Sequence, residues 1–239
     1  MFREIRKKLV ILGNRKPFRE HVQSHLNELD EREWIYMNMR LSGRGLSNKQ
    51  IDRILDGKCI LEATVEDHLL INQMTDVREY VEKRAAKGYN VTLKAIKEIH
   101  DLVADEELEF RKSSPVLFQY SYTPMAADRI PQAMEELVAF ARDEDCDVNF
   151  VEKAVQVHNR FLEIYPYREG NEYVARMLMY LILALNGVPF CPLTLSEQEY
   201  NDCIIEYLKK GSHEAMPKAV LEAILAKLEL MRQLTGYNY

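Results

Sequence analysis

Glycine and proline are scarce in this chain, at 9 and 8 of its 239 residues. So few breakers exclude a collagen-like, low-complexity or linker-dominated chain and leave room for long uninterrupted helices. Cysteine is sparse too. Cys59, Cys146, Cys191 and Cys203 show no paired metal-ligand spacing and are too few for a disulfide scaffold. They are read as reduced, buried thiols of a cytoplasmic protein. Positive charge is outweighed: 32 Lys and Arg face 38 Asp and Glu, a formal net charge of −6. That excludes a bulk electrostatic grip on nucleic acid, which needs a basic face. Long apolar runs are missing as well. The longest, MLMYLILAL from Met177 to Leu185, is about half the ~18 residues of a membrane span and reads as a buried helix. Leu9 to Leu12 is too short for the core of a signal peptide. Neither a membrane nor nucleic acid is therefore expected as a partner.

What is present is apolar side chains at helical spacing, in a chain that is 47% hydrophobic and so able to bury a substantial core. Phe18, Val22, Leu26 and Leu29 begin a pattern that runs past Trp34 to Leu41 and breaks at SGRG. Ser47 with Gln50 forms a capping box for a short helix ending at Gly57. Thr64 caps a long helix to about Lys87, closed by Gly88, and Thr92 caps another along Ile96, Ile99 and Val103. Pro131 suits a first helical turn. Asn149 with Glu152 opens a helix that Pro166 stops; the next runs from Asn171 to Asn186–Gly187. Ser196 with Glu199 caps one more, and Pro217 to Leu234 gives the last.

Two segments differ. The basic cluster Arg3, Arg6, Lys7, Lys8, Arg15 and Lys16 is read as a solvated tail, with a docking arm as the alternative. In residues 108–124, Val116, Phe118, Tyr120 and Tyr122 alternate with Leu117, Gln119 and Ser121, a period of two that predicts a strand. With Arg111 to Pro115 as its turn, the segment is expected to form a small β-hairpin. The fold class is all-α with that hairpin inserted. Residues 1–45 would be an N-terminal arm and helix, 46–239 the main helical domain, and the two together one compact unit.

The stretch IYPYREGNEYVAR, residues 164–176, carries the chemistry. Gly170 permits a backbone angle that other residues resist. Asn171 is expected at the N-cap of a helix, where free N–H groups and the macrodipole attract anions. Glu169 stands beside that end and could hold magnesium; Arg176, a little over one turn on, could hold a phosphate. Taken alone, an E-G-N triplet is more often an ordinary cap.

The wider stretch VHNRFLEIYPYREGNEYVARMLMYLILALNGVPF resembles the signature region of Fic (filamentation induced by cAMP) domains, whose pattern is HPFxxGNGRxxR after a helix reading roughly HxxFxxI. His158, Phe161 and Ile164 match that helix; Pro166, Tyr167, Glu169, Gly170, Asn171 and Arg176 match the loop and the helix after it. EFRKSSPV falls where the family has its flap, and RIPQAMEELVAF where a helix follows. The resemblance is strong from Asn149 to Phe190 and weak before Ile60. It implies a helical bundle that transfers AMP from ATP to a target hydroxyl with Mg²⁺, some members transferring other phosphate-containing groups. It further implies a target protein paired strand to strand with the flap, here along Val116, Phe118 and Tyr120.

The departures fall on the machinery. Tyr165 stands at the position of the family's general-base histidine, and a neutral phenol of ordinary pKa ~10 cannot accept a proton at neutral pH. Glu172 replaces a glycine, and Tyr173 the first phosphate-binding arginine. Glu172 lies four residues before Arg176, the favourable order for an ion pair. It is expected to occupy Arg176 and block the phosphate position, the alternative being a solvated surface pair. In the family an [S/T]xxxE[G/N] helix often inhibits through this arginine; the nearest match, NMRLSG from Asn38 to Gly43, has Ser42 in place of the glutamate. His158, two turns before Tyr165, is about 10 Å away along the axis and is read as a core residue. His21 and His25 are read as a solvated face, and Arg168 as an exposed loop residue. Two readings remain open at this level. One is a pseudoenzyme acting through binding partners, a homodimer among them; the other is an active transferase with an altered base and substrate.

Overall fold

The computed structural model describes residues 1–104, 109–212 and 214–236. Among them ten α-helices carry the fold: α1 (Phe2–Gly13), α2 (Glu20–Leu41), α3 (Asn48–Leu55), α4 (Val65–Ala86), α5 (Leu93–Val103), α6 (Ile130–Arg142), α7 (Phe150–Ile164), α8 (Asn171–Leu185), α9 (Glu197–Lys210) and α10 (Ala215–Leu234). The caps explain the boundaries. Ser47 with Gln50, Thr64 with Asp67 and Ser196 with Glu199 form reciprocal capping boxes, and Asn149 Oδ1 accepts the amides of Val151 and Glu152. Each satisfies donors that the first helical turn leaves unpaired.

Helix α8 is the axis of the bundle. Its sequence is apolar nearly all round, which suits a helix enclosed on every side, and it is buried continuously from Val174 to Leu183. It packs against α7, α4 and α5. Trp34, at 0% exposure, ties α2 to this core. Its indole N–H donates to the Met74 carbonyl at 2.8 Å, and its ring meets Tyr180 and Phe190 at centroid distances of 5.1 and 5.2 Å. The MLMYLILAL run is core, as expected, and no helix among the described residues is long and apolar enough to cross a membrane.

Three expectations require correction. The N-terminal segment is not a solvated tail: α1 lies on α10, because Ile5 and Leu12, one heptad apart, give it a buried stripe. Lys8 pairs with Glu229 at 2.8 Å, and Arg15 donates to the Arg232 carbonyl and the Thr235 hydroxyl; only Arg3, Arg6, Lys7 and Lys16 of the cluster face water.

The hairpin is reduced to a single antiparallel bridge between Leu117 and Tyr122. A 3₁₀ turn over Phe118–Tyr120 and a left-handed Ser121 (φ 47°) close it. A period of two in one segment is insufficient when nothing opposite can pair, and Arg-Lys-Ser-Ser-Pro supplies no second strand. The alternation fails accordingly: Val116 and Phe118 point to water, whereas Leu117 and Tyr120 are buried. Residue 108 of the segment lies outside the described residues. The thiols also differ from expectation. Cys191 is buried, Cys146 and Cys203 are half-buried, and Cys59 is exposed in the α3–α4 connection.

Helices α2 and α10 meet through one enclosed ion pair, Lys227 with Asp30, in which the lysine side chain is 4% and the aspartate 16% exposed. Burial raises the Asp30 pKa, and the lysine opposes that shift. Removing one partner of such a pair strands the other charge. Lys227→Ala is therefore expected to lower unfolding stability by about 3 kcal/mol in urea denaturation, with Lys227→Met/Asp30→Leu recovering most of the loss.

Candidate functional site

The site is built where α7 stops and α8 starts. Pro166 cannot continue a helix, so α7 ends with Tyr165 in the left-handed region at φ 50°, its N–H still bonded to the Phe161 carbonyl at 2.8 Å. A bulky side chain is strained there by roughly 1–3 kcal/mol. Arg111 holds it. This guanidinium, 4% exposed, donates from Nε to the Tyr165 carbonyl (2.7 Å) and from Nη2 to the carbonyls of Ile164 (3.1 Å) and Met125 (2.7 Å). Nη1 donates to the Ser113 carbonyl at 2.7 Å, and the Arg111 amide to Pro166 O at 2.9 Å. Burial lowers its pKa, yet a guanidinium remains charged in proteins, and a cation complements the negative end of α7.

Gly170, at φ 76°, takes the N-cap of α8 that Asn171 was expected to fill. A Cβ there would also come within 3.1 Å of Ala104 Cβ, so both angle and space require glycine. Asn171 is the first helical residue, fully buried, and its amide clamps the loop: Oδ1 accepts the Tyr167 amide at 3.0 Å while Nδ2 donates to the Tyr167 carbonyl at 2.9 Å. Tyr167 stacks on His100 at 3.7 Å between centroids, and His100 Nε2 meets the Glu169 carbonyl at 3.2 Å. These contacts tie the inner side of the loop to α5 and to the start of α8. Arg168 and Glu169 project outward.

The Tyr165 hydroxyl, in a 7% exposed residue, donates to Glu172 Oε1 at 3.1 Å. Burial raises the Tyr165 pKa, and the Glu172 charge raises it further. That is the reverse of what a proton acceptor needs. Glu172 Oε1 also receives the Tyr120 hydroxyl at 3.4 Å and Gln119 Nε2 at 3.5 Å. A cleft of about 290 Å³ adjoins this cluster, walled by Ser42, Arg44, Tyr120, Glu172, Tyr173 and Glu197 among others.

The expected Glu172–Arg176 pair does not form. Four residues apart on an exposed face they would meet; Arg176 is instead turned into the core at 1% exposure. Nε donates to Asn38 Oδ1 at 2.9 Å and Nη2 to the Ser42 hydroxyl at 2.8 Å, both from the end of α2. The guanidinium lies 4.9 Å from the Tyr173 ring centre and 5.5 Å from that of Tyr200. Nη1 has no hydrogen-bond partner among the described residues. This charge is thus held by neutral groups and aromatic faces. The NMRLSG stretch does reach the arginine, through Asn38 and Ser42 rather than through a carboxylate.

As the residues stand, a metal-bound triphosphate does not fit. The described residues hold no cluster of three or more His, Cys, Asp or Glu suited to a metal. Magnesium held by one carboxylate depends on phosphate oxygens for further ligands. The positive end of α8, where phosphate would sit, already carries the Glu172 side chain in its first turn, and a carboxylate there repels an anion.

Residues 90–183 match the model of the Fic/DOC family. These residues form a Fic domain. The chain is 24% identical over 172 residues to protein adenylyltransferase fic-1 of Caenorhabditis briggsae, covering 65% of this chain and 32% of that protein. It is 32% identical over 79 residues to a probable protein adenylyltransferase of Aquifex aeolicus, covering 33% and 24% respectively. It therefore spans about a third or less of these curated relatives. Among solved structures, a Fic domain containing signaling protein from Bacteroides thetaiotaomicron superposes with a TM-score of 0.74 at 19% identity, over 97% of this chain and 94% of that one. Fic-1 from C. elegans superposes with a TM-score of 0.78 at 19% identity, over 97% and 70%. The all-α Fic fold thus extends on both sides of the segment that the family model matches.

Within the Fic frame, Tyr165, Glu169, Gly170, Asn171 and Glu172 share one loop and helix start, with Tyr120 reaching the same cluster. Arg176 lies beneath it, while Val116 and Phe118 stand outside on the 116–122 loop. Sequence reading missed Arg111, because a lone arginine in RKSSP signals nothing until the carbonyls around it are in place.

His158 is a core residue, as expected. Its Nδ1 lies 2.8 Å from Asn159 Oδ1, and its Nε2 2.6 Å from the Tyr200 hydroxyl. Burial lowers its pKa to about 4. The unfolded chain, with histidine near ~6.5, binds this proton where the folded one does not, so stability rises with pH across that window. On acidification from pH 7 to 4 the wild type is expected to lose roughly 3 kcal/mol more than His158→Gln, measured by denaturation at each pH.

Proposed function

We propose that this chain is a Fic-derived binding protein whose nucleotide transfer is switched off. One observation carries the reading: the Tyr165 hydroxyl, at the position of the general base, donates a hydrogen bond to Glu172 Oε1 at 3.1 Å. Losing a general base costs roughly 10²–10⁴-fold in rate, and Tyr173 in place of an arginine removes a phosphate contact besides. The relatives, named as protein adenylyltransferases, support an ancestral transfer of AMP to a protein, for which the family resemblance implies ATP and Mg²⁺. What remains for this chain is the docking half of that task. The target face is the 116–122 loop, where Val116 and Phe118 are 54% and 84% exposed; a partner protein, or a second copy of the chain, is its expected occupant. The four thiols, free of disulfides, fit a cytoplasmic setting.

A second reading, an active transferase with another base and substrate, draws on two retained features. Arg176 is kept, and no side chain caps the first amides of α8. Incubation with labelled ATP or other nucleotides and Mg²⁺, with lysate present, separates the readings. The natural sequence is expected to transfer no covalent label. Tyr165→His/Glu172→Gly/Tyr173→Arg is expected to gain self-labelling, since it restores the base and the phosphate contact and removes the repelling carboxylate. Label transferred by the natural sequence overturns the proposal.

A further inference from the structure

Three neutral donors from two separate loops converge on one oxygen of Glu172. Tyr165 comes from the α7–α8 loop; Tyr120 and Gln119 come from the 116–122 loop. No cation pairs with this carboxylate among the described residues, so these donors replace the water it gives up on being covered. Its position in the first turn of α8 suits a negative charge. Among the described residues the 116–122 loop has few other polar ties to the body: the Tyr122 hydroxyl reaches the Glu163 carbonyl at 3.3 Å, and Arg111 grips the Ser113 and Met125 carbonyls at the loop's base.

We propose that Glu172 is a latch. Its carboxylate pulls the 116–122 loop down onto the end of α8 and fixes one wall of the adjoining cleft, so a partner that draws this loop away must first displace Glu172 from Tyr120 and Tyr165. The inference rests on the non-catalytic reading of the site, because the same contact that neutralises Tyr165 as an acceptor also fixes the loop. It further separates two holds on one segment: Arg111 anchors the base in every state, and Glu172 controls the tip.

Amide hydrogen exchange on the full chain tests this. The reporters are Leu117 and Tyr122, whose amides bond each other's carbonyls at 2.9 and 3.2 Å, with the Arg111 amide as the anchor reporter. Glu172→Ala is expected to speed exchange at Leu117 and Tyr122 by about tenfold or more. Glu172→Gln, which keeps shape and loses charge, falls between, and Tyr120→Phe/Tyr165→Phe reproduces the alanine variant. The Arg111 amide stays within roughly a factor of two of wild type in all three. Unchanged rates at Leu117 and Tyr122 in Glu172→Ala overturn the latch, as does equal acceleration at Arg111, which marks general loosening. Label transfer by the wild type would overturn the non-catalytic reading while leaving these exchange rates where they are, so the two failures are distinguishable.

Discussion

The site depends on a buried guanidinium that, among the described residues, is held by backbone carbonyls rather than by a carboxylate. Arg111 gathers carbonyls from Ser113, Met125, Ile164 and Tyr165, joining the segment before α6 to the end of α7. Without those contacts, the carbonyls of Ile164 and Tyr165 would lose these donors, and the left-handed backbone at Tyr165 would lose its main side-chain support. A lysine could not replace it, since one ammonium lacks the planar fork that reaches several acceptors in fixed directions. The geometry of the α7–α8 loop and the placing of the Tyr165 hydroxyl follow from this anchorage.

The second buried cation, Arg176, shows why spacing along a helix does not decide pairing. Glu172 and Arg176 are separated as a good surface pair should be, but α8 is a core helix and the two side chains leave it in different directions. The guanidinium goes to α2, where Asn38 and Ser42 receive it. The carboxylate goes to the phenols of Tyr165 and Tyr120. An i, i+4 rule derived from solvated helices presumes that both residues see water, and here one does not.

Much of the fold was legible in the sequence because its signals are local. Capping residues at Ser47, Thr64, Thr92, Asn149 and Ser196 lie one residue before the helices they open, and the Fic-like motif lies on one continuous stretch. What was illegible depends on distant residues. Alternation in Val116–Tyr122 pointed to a strand, but a strand needs a partner, and only tertiary context shows that none lies opposite. The basic N-terminal run looked like a tail because its buried positions, Ile5 and Leu12, have meaning only against α10. Asn171 was placed one residue too early, since a glycine able to adopt φ 76° takes the cap itself.

The seam between α2 and α10 responds to warming differently from the apolar interior. Hydration of ions carries a strongly negative entropy, so the penalty for enclosing Lys227 and Asp30 shrinks as temperature rises, while the gain per unit of buried hydrocarbon levels off. Heat thus spares this junction relative to its surroundings. Cold is where its desolvation burden is heaviest, and there the attachment of α10 rests chiefly on its apolar packing against α7 and α9.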